Sequence, residues 1–128
     1  SEKLKKEKIS LLIEAVNTID IPGFYLNTTS QAKQIISQIK SDNLFLQYDI
    51  YHMQIMEGNL SLTIKENLEL IKHIQIADHP GRNEPGTGEI NYNFIFEFLK
   101  SLKYEGYIGC EYIPKTNTEE GLVWKKLL

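Results

Sequence analysis

Cysteine, long apolar runs and an excess of basic residues are all missing from this 128-residue sequence, and each absence excludes a class of protein. Cys110 is the only cysteine, which excludes an internal disulfide and a cysteine-based zinc cluster and makes a reducing, cytoplasmic setting the default expectation. No apolar run is long enough to cross a bilayer, so we expect neither a signal peptide nor a membrane partner. The formal net charge of −3 argues against nucleic acid as a partner.

What the sequence does contain is an ordinary globular mixture, 41% hydrophobic and 24% charged, which suits a single domain over residues 1–128. Short apolar runs predict four strands, at residues 9–16, 44–52, 73–78 and 107–113. Helical periodicity and capping residues predict helices that begin near Thr28, Leu60, Asn91 and Thr116, the second ending at Ile71 and the last at Leu128. Strict alternation of strand and helix predicts an α/β fold with a parallel sheet.

The stretch HIQIADHPGRNEPGTGEINY, residues 73–92, is the most unusual part of the chain. It begins as an apolar strand and continues as a charged loop with too much glycine and proline for a helix or a strand. Such a loop at the end of a strand is a common position for a functional site in α/β proteins. Arg82 is a cation in this loop and is suited to hold a substrate carboxylate, although a solvated loop arginine is the alternative.

One carboxylate or amide interrupts the C-terminal half of every predicted strand: Glu14, Asp49, Gln75 and Glu111. The C-terminal ends of parallel strands meet at one edge of the sheet, so these side chains are expected to lie together. Buried carboxylates repel one another and are costly to desolvate, and a divalent cation relieves both effects. Oxygen ligands favour Mg²⁺ or Mn²⁺ over Zn²⁺.

Each of these residues also has an ordinary structural interpretation. Glu14 alone could face water on an edge strand, Asp49 could cap a turn, and Gln75 could be a hydrogen-bonded core amide. The recurrence of the feature on four strands favours a shared site over coincidence. His52 follows Asp49 by three residues and is expected at the same end of the sheet, with a surface loop histidine as the alternative.

Four segments together resemble the hydroxypyruvate isomerase family of the xylose-isomerase-like TIM-barrel superfamily: LLIEAVN, DIYHMQIMEGNL, HIQIADHPGRNEPGTGEINY and GYIGCEYIP. The resemblance extends over about residues 9–125. It implies one divalent metal ion held by the residues that match Glu14, Asp49, Gln75 and Glu111. It also implies that Glu14 and Glu111 act as the acid/base pair, and related ketose epimerases contact substrate at positions like His52 and Arg82.

The resemblance implies only part of a barrel, because a TIM barrel needs eight strands and about 250 residues. The four strands here correspond to strands five to eight, which gives the C-terminal half of a (β/α)8 barrel. Such a half exposes two sheet edges and the inner faces of its strands. We therefore expect it to pair with the missing N-terminal half-barrel or with itself as a homo-oligomer.

The function implied by the resemblance is the isomerisation of hydroxypyruvate to tartronate semialdehyde, an aldose–ketose type of reaction on a small hydroxy-keto acid that passes through an enediolate. Two alternatives remain open. One is another sugar or keto-acid isomerase or epimerase of the superfamily, for example one acting on a 2-oxo-tetronate; the other is a non-catalytic half-barrel that only assembles with a partner. An endonuclease of this superfamily is disfavoured, because such enzymes need a His-rich multi-zinc site and this chain has three histidines.

Overall fold

The computed structural model describes residues 1–127 and contains one four-stranded parallel sheet in the order β1-β2-β3-β4. The strands are β1 (Leu11–Glu14), β2 (Leu44–Asp49), β3 (Ile71–Ile76) and β4 (Tyr107–Cys110). The helices are α1 (Glu2–Lys6), α2 (Thr29–Ile39), α3 (Ile50–Met56), α4 (Leu60–Glu66) and α5 (Tyr92–Ser101), and a 3₁₀ helix follows at Glu120–Leu127. The predicted fold class, parallel strands alternating with helices, is confirmed.

The two faces of the sheet differ in chemistry because successive side chains of a strand point to opposite sides. One face carries the apolar side chains of β2 and β3, all buried under the helices: Leu44, Leu46, Tyr48, Ile74 and Ile76. The opposite face, called the inner face below, is polar. Its register aligns Glu14 with Gln47 and His73, and Asp49 with Gln75 and Gly109.

Two of the predicted helix starts are formed by side-chain caps. Thr28 accepts a hydrogen bond from the N–H of Gln31 at 3.2 Å, and the Gln31 side chain accepts from the N–H of Asn27 at 3.0 Å. Asn91 accepts from the N–H of Phe94 at 3.1 Å at the start of α5. These bonds satisfy backbone donors that the first turn of a helix leaves unpaired.

Five predicted elements are wrong in their extent. The strand predicted at residues 9–16 is Leu11–Glu14, and the strand predicted at residues 73–78 is Ile71–Ile76. Residues 50–52 begin α3 and are not part of β2, because the Asp49 side chain accepts from the N–H of His52 and caps a helix there. The helix predicted over residues 60–71 ends at Glu66, and Ile71 already belongs to β3. Likewise β4 ends at Cys110, so Glu111 follows the strand.

The last predicted helix also differs from the structure. It is a 3₁₀ helix that begins at Glu120, and the predicted end at Leu128 lies outside the described residues. The α-helical pattern predicts Leu122, Val123 and Leu127 on its buried side. Val123 is instead 63% exposed, whereas Trp124 is 5% exposed and stacks on Phe96. The tighter turn of a 3₁₀ helix shifts the buried face by one residue relative to the α-helical pattern.

The two outer strands each have one unpaired edge within residues 1–127, since β1 pairs with β2 alone and β4 with β3 alone. On β4, Tyr107 is 82% exposed and sits on the inner face. None of the helices in residues 1–127 has the length and apolar character needed to cross a membrane.

Candidate metal and active site

The structure brings the predicted site residues to one end of the sheet. Glu14 and Asp49 are the last residues of β1 and β2, Gln75 lies one residue before the end of β3, and Glu111 directly follows β4. Carboxylate oxygens of Glu14, Asp49 and Glu111 and a ring nitrogen of His52 all lie within 4.8 Å of one another. We call the three carboxylates the acidic cluster.

Asp49 is the most buried member of the acidic cluster, at 1% exposure. Its Oδ1 accepts from the N–H of His52 at 2.9 Å, while Oδ2 has no hydrogen-bond partner within residues 1–127. Burial raises the pKa of Asp49 to about 7, and the neighbouring Glu14 and Glu111 carboxylates add to the rise against the lowering effect of the His52 N–H. A buried carboxylate oxygen without a partner is costly, so this atom is a natural ligand position for a cation.

Glu14 is half-buried beside Asp49, and burial together with the Glu111 carboxylate raises its pKa. Gln47, from the same inner face, donates to Glu14 Oε2 at 2.7 Å and to Gln75 Oε1 at 2.5 Å. The Gln47 amide therefore holds both side chains in place, and Gln75 Oε1 retains a second lone pair. Gln47 was not among the predicted site residues, although its position two residues before Asp49 places it on the same face of β2.

Arg82 is the cation nearest to the acidic cluster. Its guanidinium lies 3.0 Å from Glu111 Oε2 and 3.5 Å from His52 Nε2, and it stacks 5.1 Å above the ring of Tyr51. Asp20, which accepts from the Tyr51 hydroxyl at 2.9 Å, lies 3.9 Å from the other end of the guanidinium. Stacking and two carboxylates hold the planar group in one orientation, which suits recognition of a carboxylate. Neither Tyr51 nor Asp20 was among the predicted site residues.

The loop that carries Arg82 is organised around Asp78, which is 1% exposed. Its Oδ2 accepts from three backbone N–H groups at 2.8–3.0 Å and its Oδ1 from two more at 3.0 and 3.1 Å; the donors are His79, Gly86, Thr87, Gly88 and Ile90. A Cβ at Gly88 would overlap the His79 carbonyl oxygen, so only glycine fits this close approach. Asp78 was predicted only as the end of a strand, but β3 ends at Ile76.

The donor set of the site fits a hard divalent cation. Glu14, Asp49 and Glu111 bring carboxylate oxygens together, Asp49 Oδ2 is buried without a hydrogen-bond partner within residues 1–127, and Gln75 Oε1 is joined to Glu14 through the Gln47 amide. All are oxygen donors of the kind that Mg²⁺ and Mn²⁺ prefer. Burial raises the pKa values of Asp49 and Glu14, and repulsion from neighbouring carboxylates adds to the rise; a bound cation would offset both effects.

We expect the metal-free chain to lose stability as the pH rises from about 4 to about 7. The folded-state pKa of Asp49 is about 7 against an ordinary 3.8, so the folded state binds the extra proton and its stabilising effect is lost as the pH rises through 7. The measurement is the thermal midpoint against pH for the wild-type chain and for Asp49→Asn. The difference between the two should shrink or reverse with rising pH, and a difference independent of pH would contradict the raised pKa.

Comparison with known proteins places the chain in a family. A family model described as "Xylose isomerase-like TIM barrel" matches residues 1–127. The chain is 54% identical over 121 residues to the hydroxypyruvate isomerase of Escherichia coli (strain K12), covering 94% of this chain and 47% of that protein. It is 44% identical over 118 residues to the 2-oxo-tetronate isomerase of Cupriavidus necator, covering 92% of this chain and 45% of that protein.

A solved structure agrees with these sequence relatives. The crystal structure titled as an AP endonuclease, family 2, from Brucella melitensis superposes with a TM-score of 0.94 at 38% identity, covering 98% of this chain and 48% of that chain. The chain thus spans about half the length of the proteins it matches, which agrees with the predicted half-barrel. From the family match over residues 1–127 and the identity to its relatives, the chain belongs to the xylose isomerase-like TIM barrel family.

Proposed function

We propose that this chain supplies the catalytic half of a metal-dependent isomerase that acts on a small hydroxy-keto acid, with hydroxypyruvate as the first candidate. The observation that carries the proposal is the acidic cluster at the strand ends, which includes the buried Asp49 with its unpaired Oδ2 and has the Arg82 guanidinium beside it. The names of the relatives, a hydroxypyruvate isomerase and a 2-oxo-tetronate isomerase, support it. Because the chain spans about half of each relative, the activity belongs to the completed barrel.

The reaction requires a proton to move between neighbouring carbons of the substrate. A glutamate removes a proton from the hydroxyl-bearing carbon of hydroxypyruvate, and the electron pair of the broken C–H bond passes to the neighbouring carbonyl to give an enediolate. A proton is then returned to the former carbonyl carbon, and the proton of the original hydroxyl passes to the former carbonyl oxygen, which gives the aldehyde and the new hydroxyl. Glu14 and Glu111 are proposed to carry out the removal and the return, and the nearby Glu111 carboxylate contributes to the raised pKa of Glu14.

Glu14, Asp49, Gln75 and Glu111 would hold the divalent cation, Mg²⁺ or Mn²⁺. When bound, a divalent cation lowers the free energy of the negatively charged enediolate oxygens as a Lewis acid. Arg82 would bind the substrate carboxylate. Its stacking on Tyr51 and its contact with Asp20 restrict the orientation of the guanidinium before the substrate binds. His52 would contact a substrate oxygen.

We expect Mn²⁺ to bind this chain with one site and to raise its thermal midpoint, because binding to the folded state alone stabilises it. Asp49→Asn removes the charge but keeps the helix-capping oxygen, and should weaken Mn²⁺ binding by about 100-fold or more. The measurement is calorimetric titration of the metal-free chain. Glu97→Gln is the matched control, since Glu97 lies on the surface of α5 and pairs with Lys100. Equal affinity in the wild type and Asp49→Asn would remove Asp49 from the metal site.

The assay that tests the activity uses hydroxypyruvate with Mg²⁺ or Mn²⁺, with and without a chelator. It is run on this chain alone and on this chain joined to the complementary half-barrel of the Escherichia coli relative. Turnover that the chelator abolishes supports the proposal. If the joined protein binds Mn²⁺ but does not convert hydroxypyruvate, that substrate is wrong and a panel of 2-oxo-tetronates and keto sugars becomes the next test.

The second candidate, isomerisation of a 2-oxo-tetronate, is favoured by the 44% identity to the Cupriavidus necator relative. Both hydroxypyruvate and a 2-oxo-tetronate carry a carboxylate that Arg82 could hold. The two candidate substrates therefore differ mainly in the number of carbon atoms that the site must accept. An endonuclease activity is not supported, because His52 is the only histidine that residues 1–127 bring to the acidic cluster and the net charge is −3.

We also propose that a second half-barrel completes the sheet. The free edges of β1 and β4 and the exposed Tyr107 on the inner face are surfaces that a closed barrel would cover. The partner is the other half of the barrel, or a second copy of this chain. A native mass of one chain in solution, with retained isomerase activity, would contradict this proposal.

A further inference from the structure

Asn17 is a fully buried amide three residues after Glu14, and every hydrogen-bonding position of its side chain is used. Its Oδ1 accepts from the backbone N–H groups of Ile19 and Asp20 at 3.0 and 2.7 Å. Its Nδ2 donates to Asp20 Oδ2 at 3.0 Å and contacts His52 Nδ1 at 2.6 Å. The amide cannot be reversed, because Oδ1 is needed by two N–H donors and Nδ2 by a carboxylate.

This arrangement decides which nitrogen of the His52 ring carries the proton. Nδ1 faces the Asn17 side-chain amide, and the Asn17 backbone N–H lies 3.4 Å from the same atom. Both groups are donors, so Nδ1 must be the acceptor and the proton of the neutral ring must be on Nε2. We propose that Asn17 is the positioning residue that holds His52 as an Nε2–H donor, so that His52 hydrogen-bonds an oxygen of the substrate and is not a ligand of the cation.

The contact of Asn17 Nδ2 with Nδ1, at 2.6 Å, is much shorter than that of the Arg82 guanidinium with Nε2, at 3.5 Å, so the donor at Nδ1 decides the tautomer. Glu14 Oε1 lies 3.9 Å from Nε2, longer than a hydrogen bond, and the other neighbour is the Arg82 guanidinium at 3.5 Å, which is itself a donor. The His52 Nε2–H and the Arg82 guanidinium are two donors 3.5 Å apart, so both can donate to one acceptor oxygen. A negatively charged oxygen that forms during the reaction would be such an acceptor. A metal ligand would need an unprotonated Nε2, which the Asn17 donors at Nδ1 oppose.

The inference rests on the proposed function only for the identity of the acceptor. The proton position itself is a property of the chain without substrate. It can therefore be measured separately: a correct proton position together with no turnover on any hydroxy-keto acid would count against the proposed function and leave the Asn17 inference standing.

The experiment is ¹⁵N NMR of the imidazole nitrogens in the ¹⁵N-histidine-labelled chain at about pH 8, where the neutral ring predominates. His52→Gln assigns the His52 signals among the three histidines. We expect an unprotonated Nδ1 and a protonated Nε2 in the wild type, unchanged on addition of Mg²⁺. A protonated Nδ1, or loss of the Nε2 proton when Mg²⁺ binds, would overturn the inference.

Asn17→Asp tests the cause, because it keeps the Oδ1 acceptor and replaces the Nδ2 donor with an oxygen. The proton should then appear on Nδ1, and kcat/KM of the completed barrel should fall by about 10- to 100-fold. The double variant Asn17→Asp with Asp20→Asn makes the same replacement without placing two carboxylates together, in case the single variant does not fold. Asp20→Asn alone is the control and should leave the proton on Nε2. An unchanged His52 spectrum in the Asn17→Asp variants would show that Asn17 does not set the proton position.

Discussion

Glu111→Gln is expected to leave the chain folded and to abolish exchange of the substrate C–H proton with solvent. Glutamine keeps the shape and one oxygen ligand of Glu111, and the side chain is 45% exposed, so little packing is lost. What disappears is the basic carboxylate, and positioned general bases contribute about 10²- to 10⁴-fold to the rate. We therefore expect exchange to fall by about 10³-fold or more. The measurement is incorporation of deuterium from D₂O into substrate at saturating Mn²⁺.

The design must separate lost proton transfer from lost metal. Metal occupancy is measured in the same samples, because removing one negative charge also weakens cation binding. Glu97→Gln controls for the change of a glutamate that lies far from the site on α5. The assay is run on the chain joined to a complementary half-barrel, so that an incomplete site cannot explain a loss. Full exchange in a metal-loaded Glu111→Gln protein would remove Glu111 from the acid/base pair.

Asp78→Asn is expected to destabilise the chain by about 3 kcal/mol or more. The carboxylate accepts five backbone hydrogen bonds in a buried position, three of them at one oxygen. In Asp78→Asn one carboxylate oxygen is replaced by an NH₂ group, which cannot accept a hydrogen bond. The two or three backbone N–H groups that donated to that oxygen are then buried without a partner. The measurement is urea unfolding at pH 7 for the metal-free chain.

Glu89→Gln is the matched control for this prediction. Glu89 lies in the same loop but is exposed, and its side chain contacts those of His79 and Gln54 on the surface. Its replacement should change the free energy of unfolding by less than about 1 kcal/mol, as for other exposed ion pairs. If Asp78→Asn and Glu89→Gln have equally small effects, the loop is not organised by the Asp78 carboxylate.

A consequence for the site follows from the same contacts. Asp78 is not in the acidic cluster, so a folded Asp78→Asn chain should retain Mn²⁺ binding while Arg82, carried by the disturbed loop, binds the substrate carboxylate less well. The expected result in the completed barrel is a raised KM with little change in metal affinity. A loss of Mn²⁺ binding that matches the loss of substrate binding would indicate that the whole end of the sheet depends on this loop.

The alternation of strands and helices was predictable because it depends on local periodicity. The apolar runs around Leu46 and Ile74 and the caps at Thr28 and Asn91 are read from neighbouring residues, and all are found in the structure. The error at residues 50–52 arose where one residue has two roles. Asp49 ends a strand and also caps a helix, and the capping bond to His52 decided that the apolar residues after it are helical.

The remaining parts of the site depend on contacts between residues far apart in the chain. Asn17 and His52 are 35 residues apart, and Gln47 is 33 residues from Glu14 and 28 from Gln75. The residues next to each of these polar side chains in the sequence do not indicate which distant residue it contacts. Their partners become neighbours only through the parallel register of the sheet, which a single sequence does not display.

The sequence by itself determined the order of elements, the parallel α/β class and the presence of one acidic or amide side chain near the end of each strand, because these follow from periodicity and from the geometry common to parallel sheets. The tertiary structure alone decided which atom of Asp49 is left without a partner, how the Arg82 loop is held by Asp78, and which nitrogen of His52 carries the proton. These are decided by hydrogen-bond partners, and a partner is defined by distance in space.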